Sequence, residues 1–137
     1  MPTNSKAFFI PILSRISRLM YQMSDNCVFC KIVSKEARAN IVYQDEQVTA
    51  FRDIHPVAPI HILIVPNRHI DSVGRMEPED EQVVGHVFSV ARRLAEQEGI
   101  STSGFRLITN TGAHGGQTVF HLHVHLIGGQ RMRFPMG

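Results

Sequence analysis

The run His121-Leu122-His123-Val124-His125-Leu126-Ile127 alternates imidazole with aliphatic side chain over seven residues, and it constrains the fold more than any other segment. A β-strand has a side-chain period of two, so this pattern predicts a strand with three histidines on one face and Leu122, Val124 and Leu126 on the other. Successive histidines in such a row stand ~6.5 to 7 Å apart at Cα, near enough for all three to surround one phosphate or one metal ion. A merely solvated strand face would more economically carry Thr or Lys. The chain holds eight histidines in 137 residues, its one compositional excess.

The rest of the chain reads as a single small α+β domain. Ile41-Val42-Tyr43 and Val48-Thr49-Ala50-Phe51 are β-prone runs split by a polar turn, a hairpin signal. Asp53 to Pro59 carries two prolines and reads as a loop, followed by a third strand over Ile60 to Val65 that Pro66 ends. From Pro78 the period changes: Val83, Val84, Val87, Phe88, Ala91, Leu94 and Ala95 recur at three and four, with acids in the first turn and Gly99 at the end. This predicts one long helix. Phe105 to Thr109 and Val119 to Ile127 complete five strands, and the lack of βαβ alternation predicts a mainly antiparallel sheet.

Composition excludes several classes. No run approaches the ~18 apolar residues of a membrane span. Cys27 and Cys30, three apart, cannot staple long loops, which favours a reducing compartment over a secreted disulfide scaffold. The net charge of +2 comes from residues 1–22, which hold Lys6, Arg15 and Arg18 and no acid; beyond them eleven basic residues face twelve acidic ones. No specific nucleic-acid partner is therefore expected. The apolar, Arg-bearing segment AFFIPILSRISRLMYQ precedes Met23-Ser24-Asp25, a plausible true start. Residues 1–22 are read as a leader or mis-assigned start, with a mitochondrial-type transit peptide or an amphipathic surface helix as alternatives, and residues 23–137 as the domain.

Neutral imidazoles invite phosphoryl chemistry. One can attack phosphorus to give a phosphoramidate that water displaces, and a second can protonate the departing group. Gly115-Gly116-Gln117-Thr118 leads into the histidine run and offers a Gly-bearing loop that could bring N–H groups close to phosphate oxygens. A metal bound through His-x-His remains open on spacing alone.

The histidine run, together with CVFCKI, YQDEQVTAFRDIHPVAPIHILIVPNRHI, RLITNTGAHGGQTVFHLHVHLIGG and the tail QRMRFPMG, resembles the histidine triad (HIT) superfamily, in the branch of nucleotide-binding proteins that act as purine nucleoside phosphoramidases. The resemblance spans about Cys27 to Gly137. It implies a two-fold homodimer joining two five-stranded sheets, and hydrolysis of a nucleoside phosphoramidate through a nucleotidylated His123. His125 and His61 match supporting histidines near the phosphate and leaving group, and His121 the first triad member. Asn110 and Gly116-Gln117-Thr118 match residues contacting ribose or phosphate, while Asp53 and Ile54 match positions bordering the purine and ribose pocket. Thr118 stands where this branch commonly has Ser; His55 and His114 have no family role to carry over. The chemistry implied needs no metal, because backbone amides and imidazolium can balance the phosphoryl oxygens.

Taken singly, several of these residues have plainer readings. His61 could be a satisfied core histidine, Asn110 a turn residue, His86 a bystander near the helix core, and Arg92 and Arg93 a solvated face. Cys27-x-x-Cys30 could be two small core residues or half of a tetrahedral zinc site; a redox dithiol is disfavoured because the pair does not open a helix after a strand. The resemblance supplies the other half of a structural zinc site, His69 and His121. Two rivals to the phosphoramidase remain: a dinucleoside polyphosphate hydrolase of the same superfamily, disfavoured by the short tail, and a nonenzymatic nucleotide-binding scaffold. The expected location is cytoplasmic, or mitochondrial if residues 1–22 are a transit peptide.

Overall fold

The computed structural model describes residues 26–133 and residue 135, and the leader expected over residues 1–22 lies outside them. The described elements are helix α1 (Val28–Val33), strands β1 (Ile41–Gln44), β2 (Val48–Arg52) and β3 (Ile60–Pro66), helix α2 (Glu81–Gln97), and strands β4 (Phe105–Ile108) and β5 (Val124–Gly128). The five strands form one sheet in the order β1-β2-β3-β5-β4, with every neighbouring pair antiparallel. The expected α+β architecture with one long helix is therefore present.

Two apolar clusters sandwich the sheet. On one face Val83, Val87, Val90, Ala91 and Leu94 of α2 pack on Ala50, Ile62, Ile64, Val124 and Leu126. Burying each such aliphatic side chain contributes about 1.5–3 kcal/mol. Phe88, expected in this stripe, is 43% exposed because it sits at the stripe's edge, and Val90 takes a place that the sequence pattern overlooked. The helix also begins later than Pro78: Pro78–Asp80 form a 3-10 turn, and the Asp80 carboxylate accepts the Glu77 N–H at 2.8 Å before α2 starts.

On the other face, α1 lays Phe29, Cys30 and Ile32 against Phe51, Leu63 and Val65. This helix is absent from the sequence reading, since six residues are too few to establish a helical period. Cys27 is its N-cap, with the sulfur accepting the Cys30 N–H at 3.3 Å. The cysteine pair therefore opens a helix, and among the described residues no strand precedes it. His86 is likewise no bystander: its Nε2 lies 2.7 Å from Asp45, whose carboxylate also accepts the Tyr43 hydroxyl and the Gln47 and Val48 N–H groups, tying α2 to the first hairpin. Arg93 also reaches back, donating to the Tyr43 hydroxyl at 3.2 Å.

The α1 cluster covers the β2 and β3 end of its face. His125 and Ile127, which alternate with the core residues of β5, point to this same face beyond it.

Candidate functional site

The histidine run is only partly a strand. Ladder pairing of β5 with β3 starts at Val124 opposite Ile64, and the chain before it departs, with Leu122 N–H donating to the Ile70 carbonyl at 2.6 Å. Pro66 supplies the reason. Its carbonyl is directed at the His121 ring, 2.8 Å from Nε2, and it has no N–H with which to extend the ladder. The expected facing holds, with Leu122, Val124 and Leu126 in the α2-side cluster and His121, like His123, against Phe29 of α1, while the strand itself is shorter than the expected Val119 to Ile127 and covers Val124–Gly128. His121 is fully buried beside the cysteines, while His123 and His125 stay together with ring centroids 5.0 Å apart.

Hydrogen bonds fix how each imidazole presents itself. His123 Nδ1–H donates to the His121 carbonyl at 2.7 Å, which leaves Nε2 as the basic nitrogen. The His123 carbonyl in turn accepts the Thr109 hydroxyl at 2.8 Å, and the Phe29 ring meets His123 edge to face at 5.1 Å. Neither Thr109 nor Phe29 is marked by sequence spacing, since both act through tertiary contact. His61 Nδ1 accepts the Val57 N–H at 3.1 Å, so neutral His61 carries its proton on Nε2 and donates it to His125 Nδ1 at 2.9 Å. Neutral His125 therefore carries its own proton on Nε2. Asp53 stands beside this pair, 3.4 Å from His61 Nε2.

Electrostatics keeps these rings neutral. Burial pushes His123 below the ordinary imidazole value, and it pushes His61 down against the opposing pull of Asp53. His125 falls to about 4, through burial first and then the neighbouring His123 and His61. A neutral His123 with its Nε2 lone pair available is the protonation state a nucleophile requires.

The other sequence-derived site residues surround this group unevenly. Asp53 Oδ1 accepts the His55 N–H at 2.7 Å, and Ile54 is 82% exposed on the same loop. Asn110 follows β4, half-buried. In the glycine loop, the N–H groups of Gly115, Gly116 and Gln117 close turns onto the carbonyls of Gly112 and Ala113. Gly115 admits no Cβ, which would meet the Thr111 carbonyl oxygen at 2.4 Å, and Gly116 takes the left-handed φ of +87°. Gln117 is buried as a brace: its amide oxygen accepts the Gly112 N–H, and its nitrogen donates to the Asp71 and Val119 carbonyls. Thr118 is exposed, as is His114 earlier in the loop.

A second cluster lies behind His123. The ligand atoms of Cys27, Cys30, His69 and His121 all fall within 4.8 Å of one another, close enough to hold a metal ion. The sulfur to Nδ1 separations are 3.3 Å for Cys27 and His121, 3.4 Å for Cys30 and His69, and 3.5 Å for Cys30 and His121. Tetrahedral zinc with ordinary Zn–S and Zn–N lengths sets such pairs about 3.6 Å apart. Both histidines use their other nitrogen for orientation, His69 Nε2 on Asp71 at 2.7 Å and His121 Nε2 on the Pro66 carbonyl, so both turn Nδ1 inward. The Cys27 thiol is lowered to about 3, chiefly by hydrogen bonding from Cys30 and further by His121, against burial that raises it. The donor set, its charge and its spacing all fit zinc.

The model of the HIT domain matches residues 34–132. The chain is 53% identical over 115 residues to the purine nucleoside phosphoramidase of Escherichia coli (strain K12), covering 84% of this chain and 93% of that protein. Among solved structures, a HIT family hydrolase from Clostridium thermocellum superposes with a TM-score of 0.81 at 46% identity, covering 83% of this chain and 99% of that one. A HIT family hydrolase from Legionella pneumophila gives a TM-score of 0.80 at 43% identity, covering 82% and 100%.

Proposed function

The chain belongs to the HIT domain family, and from that premise we propose that it hydrolyses purine nucleoside phosphoramidates through a covalent nucleotidyl-histidine at His123. The observation that carries this reading is the directed chain of hydrogen bonds, Val57 N–H to His61 to His125, beside a neutral His123 whose Nε2 is basic.

His123 Nε2 attacks the α-phosphorus, and the P–N bond breaks with its electron pair going to the amine. Bound phosphoryl oxygens and Asp53 favour one extra proton on the His61 and His125 pair, held at His61 Nδ1 in place of its bond from the Val57 N–H; as the His125 Nε2 proton passes to the departing amine, the His61 Nε2 proton shifts to His125 Nδ1. Water then attacks phosphorus and gives a proton back to His125. The P–Nε2 bond breaks, nucleoside monophosphate leaves, and His123 is regenerated. Throughout, the His121 carbonyl holds His123 Nδ1–H and stabilises the cationic ring of the intermediate. Asp53, Ile54 and Asn110 are assigned to the nucleoside, and the Gly116, Gln117 and Thr118 stretch to the phosphate, with Thr118 offering its hydroxyl and Gly116 and Gln117 shaping the loop, their N–H groups being bonded within it.

We assign Cys27, Cys30, His69 and His121 to a structural zinc, which would supply a cross-link between α1 and the segment preceding β5. The two-fold homodimer, the cytoplasmic location favoured by two free cysteines, and the separation of a leader at 1–22 from the domain at 23–137 belong to the same proposal.

The test is turnover of a fluorogenic adenosine phosphoramidate. Wild-type protein should release the amine, and His123→Ala should retain AMP affinity within about tenfold, 1.4 kcal/mol, while losing hydrolysis. A His123→Ala protein retaining more than a few per cent of the rate would remove His123 as the nucleophile.

A further inference from the structure

His123 lies just outside both ladders that hold β5. Pairing with β3 begins at Val124 opposite Ile64, and pairing with β4 begins at His125 opposite Ile108. The same register carried further would set Asn110 opposite His123, but β4 ends at Ile108. The Thr109 hydroxyl fills that gap, donating to the His123 carbonyl at 2.8 Å across 14 residues of sequence. Thr109 is itself exposed and is no part of either apolar cluster. Its side chain therefore contributes far more through this hydrogen bond than through packing.

We propose that Thr109 is a positioning residue for the nucleophile, its hydroxyl clamping the His123 peptide to the end of β4 so that the ring is aimed at phosphorus. The inference rests on the phosphoramidase reading and adds a residue to its machinery. The His121 carbonyl that holds His123 Nδ1–H belongs to the same unpaired segment as the ring, so that bond alone lets ring and segment move together. Two further bonds tie the segment at and beyond the end of β3, His121 Nε2 with the Pro66 carbonyl and Leu122 N–H with the Ile70 carbonyl. Thr109 supplies the tie on the β4 side, where Asn110, assigned to the nucleoside, follows it in the chain. Nucleophile and nucleoside are thereby referred to one rigid edge of the sheet. A misplacement of reacting atoms by about 1 Å costs up to about a hundredfold in rate, and a hydroxyl that water partly replaces at an exposed site costs less. Because Thr109 acts through His123, whose contribution is made mainly in the transition state, the loss falls on the rate of attack and spares nucleotide affinity.

The experiment is rapid-quench single turnover of a fluorogenic adenosine phosphoramidate with protein in excess, where amine release reports attack by His123, and AMP affinity is measured in parallel. Valine keeps the shape and strand propensity of Thr109 and lacks the hydroxyl, while serine keeps the hydroxyl. Thr109→Val should slow amine release about tenfold with AMP affinity within about twofold of wild type, and Thr109→Ser should recover most of the rate. Amine release at the wild-type rate in Thr109→Val would overturn the proposal. So would a rate loss matched by an equal loss of AMP affinity, or one that serine does not recover, since either marks general structural support. If the valine variant does not fold, Thr109→Ala carries the same expectation, and a wild-type rate in it overturns the proposal equally. His123→Ala, run alongside, separates the two readings: a silent His123→Ala with a fast Thr109→Val overturns Thr109 alone, whereas undiminished amine release from His123→Ala overturns the nucleophile assignment and the role of Thr109 with it.

Discussion

His61 Nε2 lies 2.9 Å from His125 Nδ1, and because His61 Nδ1 already accepts the Val57 N–H, the proton between the two rings belongs to His61. The relay therefore has a direction, and its outer end is the Nε2–H of His125.

This direction makes His61 a positioning residue whose loss should depend on the leaving group. His61→Ala should lower kcat by about a hundredfold for an alkylamine, which needs a proton to depart, and much less for a weakly basic aromatic amine. Steady-state kinetics on the two substrates checks this. An equal loss on both would mean that His61 supports the fold and not the proton transfer.

The buried neutral histidines make stability fall on the acid side. His125 is about 4 in the folded protein against an ordinary 6.5, and His61 and His123 are lowered too, so the unfolded chain binds more protons as pH drops below 6.5. Their contribution is fully present above about 6.5 and is lost as pH falls through the folded values. Thermal melts should show the midpoint dropping by about 5 °C or more between pH 7 and pH 5, with a smaller drop in His125→Asn. A midpoint that rises over that interval would contradict the assignment of neutral rings.

For the metal cluster, elemental analysis of protein prepared without chelator should find close to one zinc per chain. The double substitution Cys27→Ser with Cys30→Ser should lose it and lower the melting temperature by at least about 5 °C, while catalysis falls much less than stability. The zinc would meet His121 through Nδ1, whereas the nucleophile is held by the His121 carbonyl. Zinc retained by the double variant would move the metal to Asp53, His61 and His125, the other group of suitable ligands among the described residues, and would undercut the nucleophile assignment.

The elements carried by clear periodicity were legible in the sequence: α2 through its three and four spacing, the first hairpin through its split β-prone runs, and the α+β class through their order. The helix α1 was not, because six residues give no period, and its place is set by Phe29 and Ile32 packing against Phe51 and Leu63. Alternation in the histidine run was legible, and it placed the three imidazoles on the α1 face and Leu122, Val124 and Leu126 on the α2 face. Where pairing ends was not legible: Pro66 stops the partner ladder, and the His121 ring turns to the cysteines. Gln117 reads from sequence as a polar group facing a ligand, and its use in bracing three backbone groups depends on Asp71, 46 residues away.

The central claim is a covalent bond between phosphorus and one named nitrogen-bearing residue, so the most direct measurement is peptide-resolved mass spectrometry of protein quenched during turnover of an adenosine phosphoramidate. An AMP adduct on His123, acid-labile and absent from His123→Ala, is the predicted result. An adduct confined to His125 or His61, or sustained turnover with no adduct under conditions that preserve phosphohistidine, would contradict it.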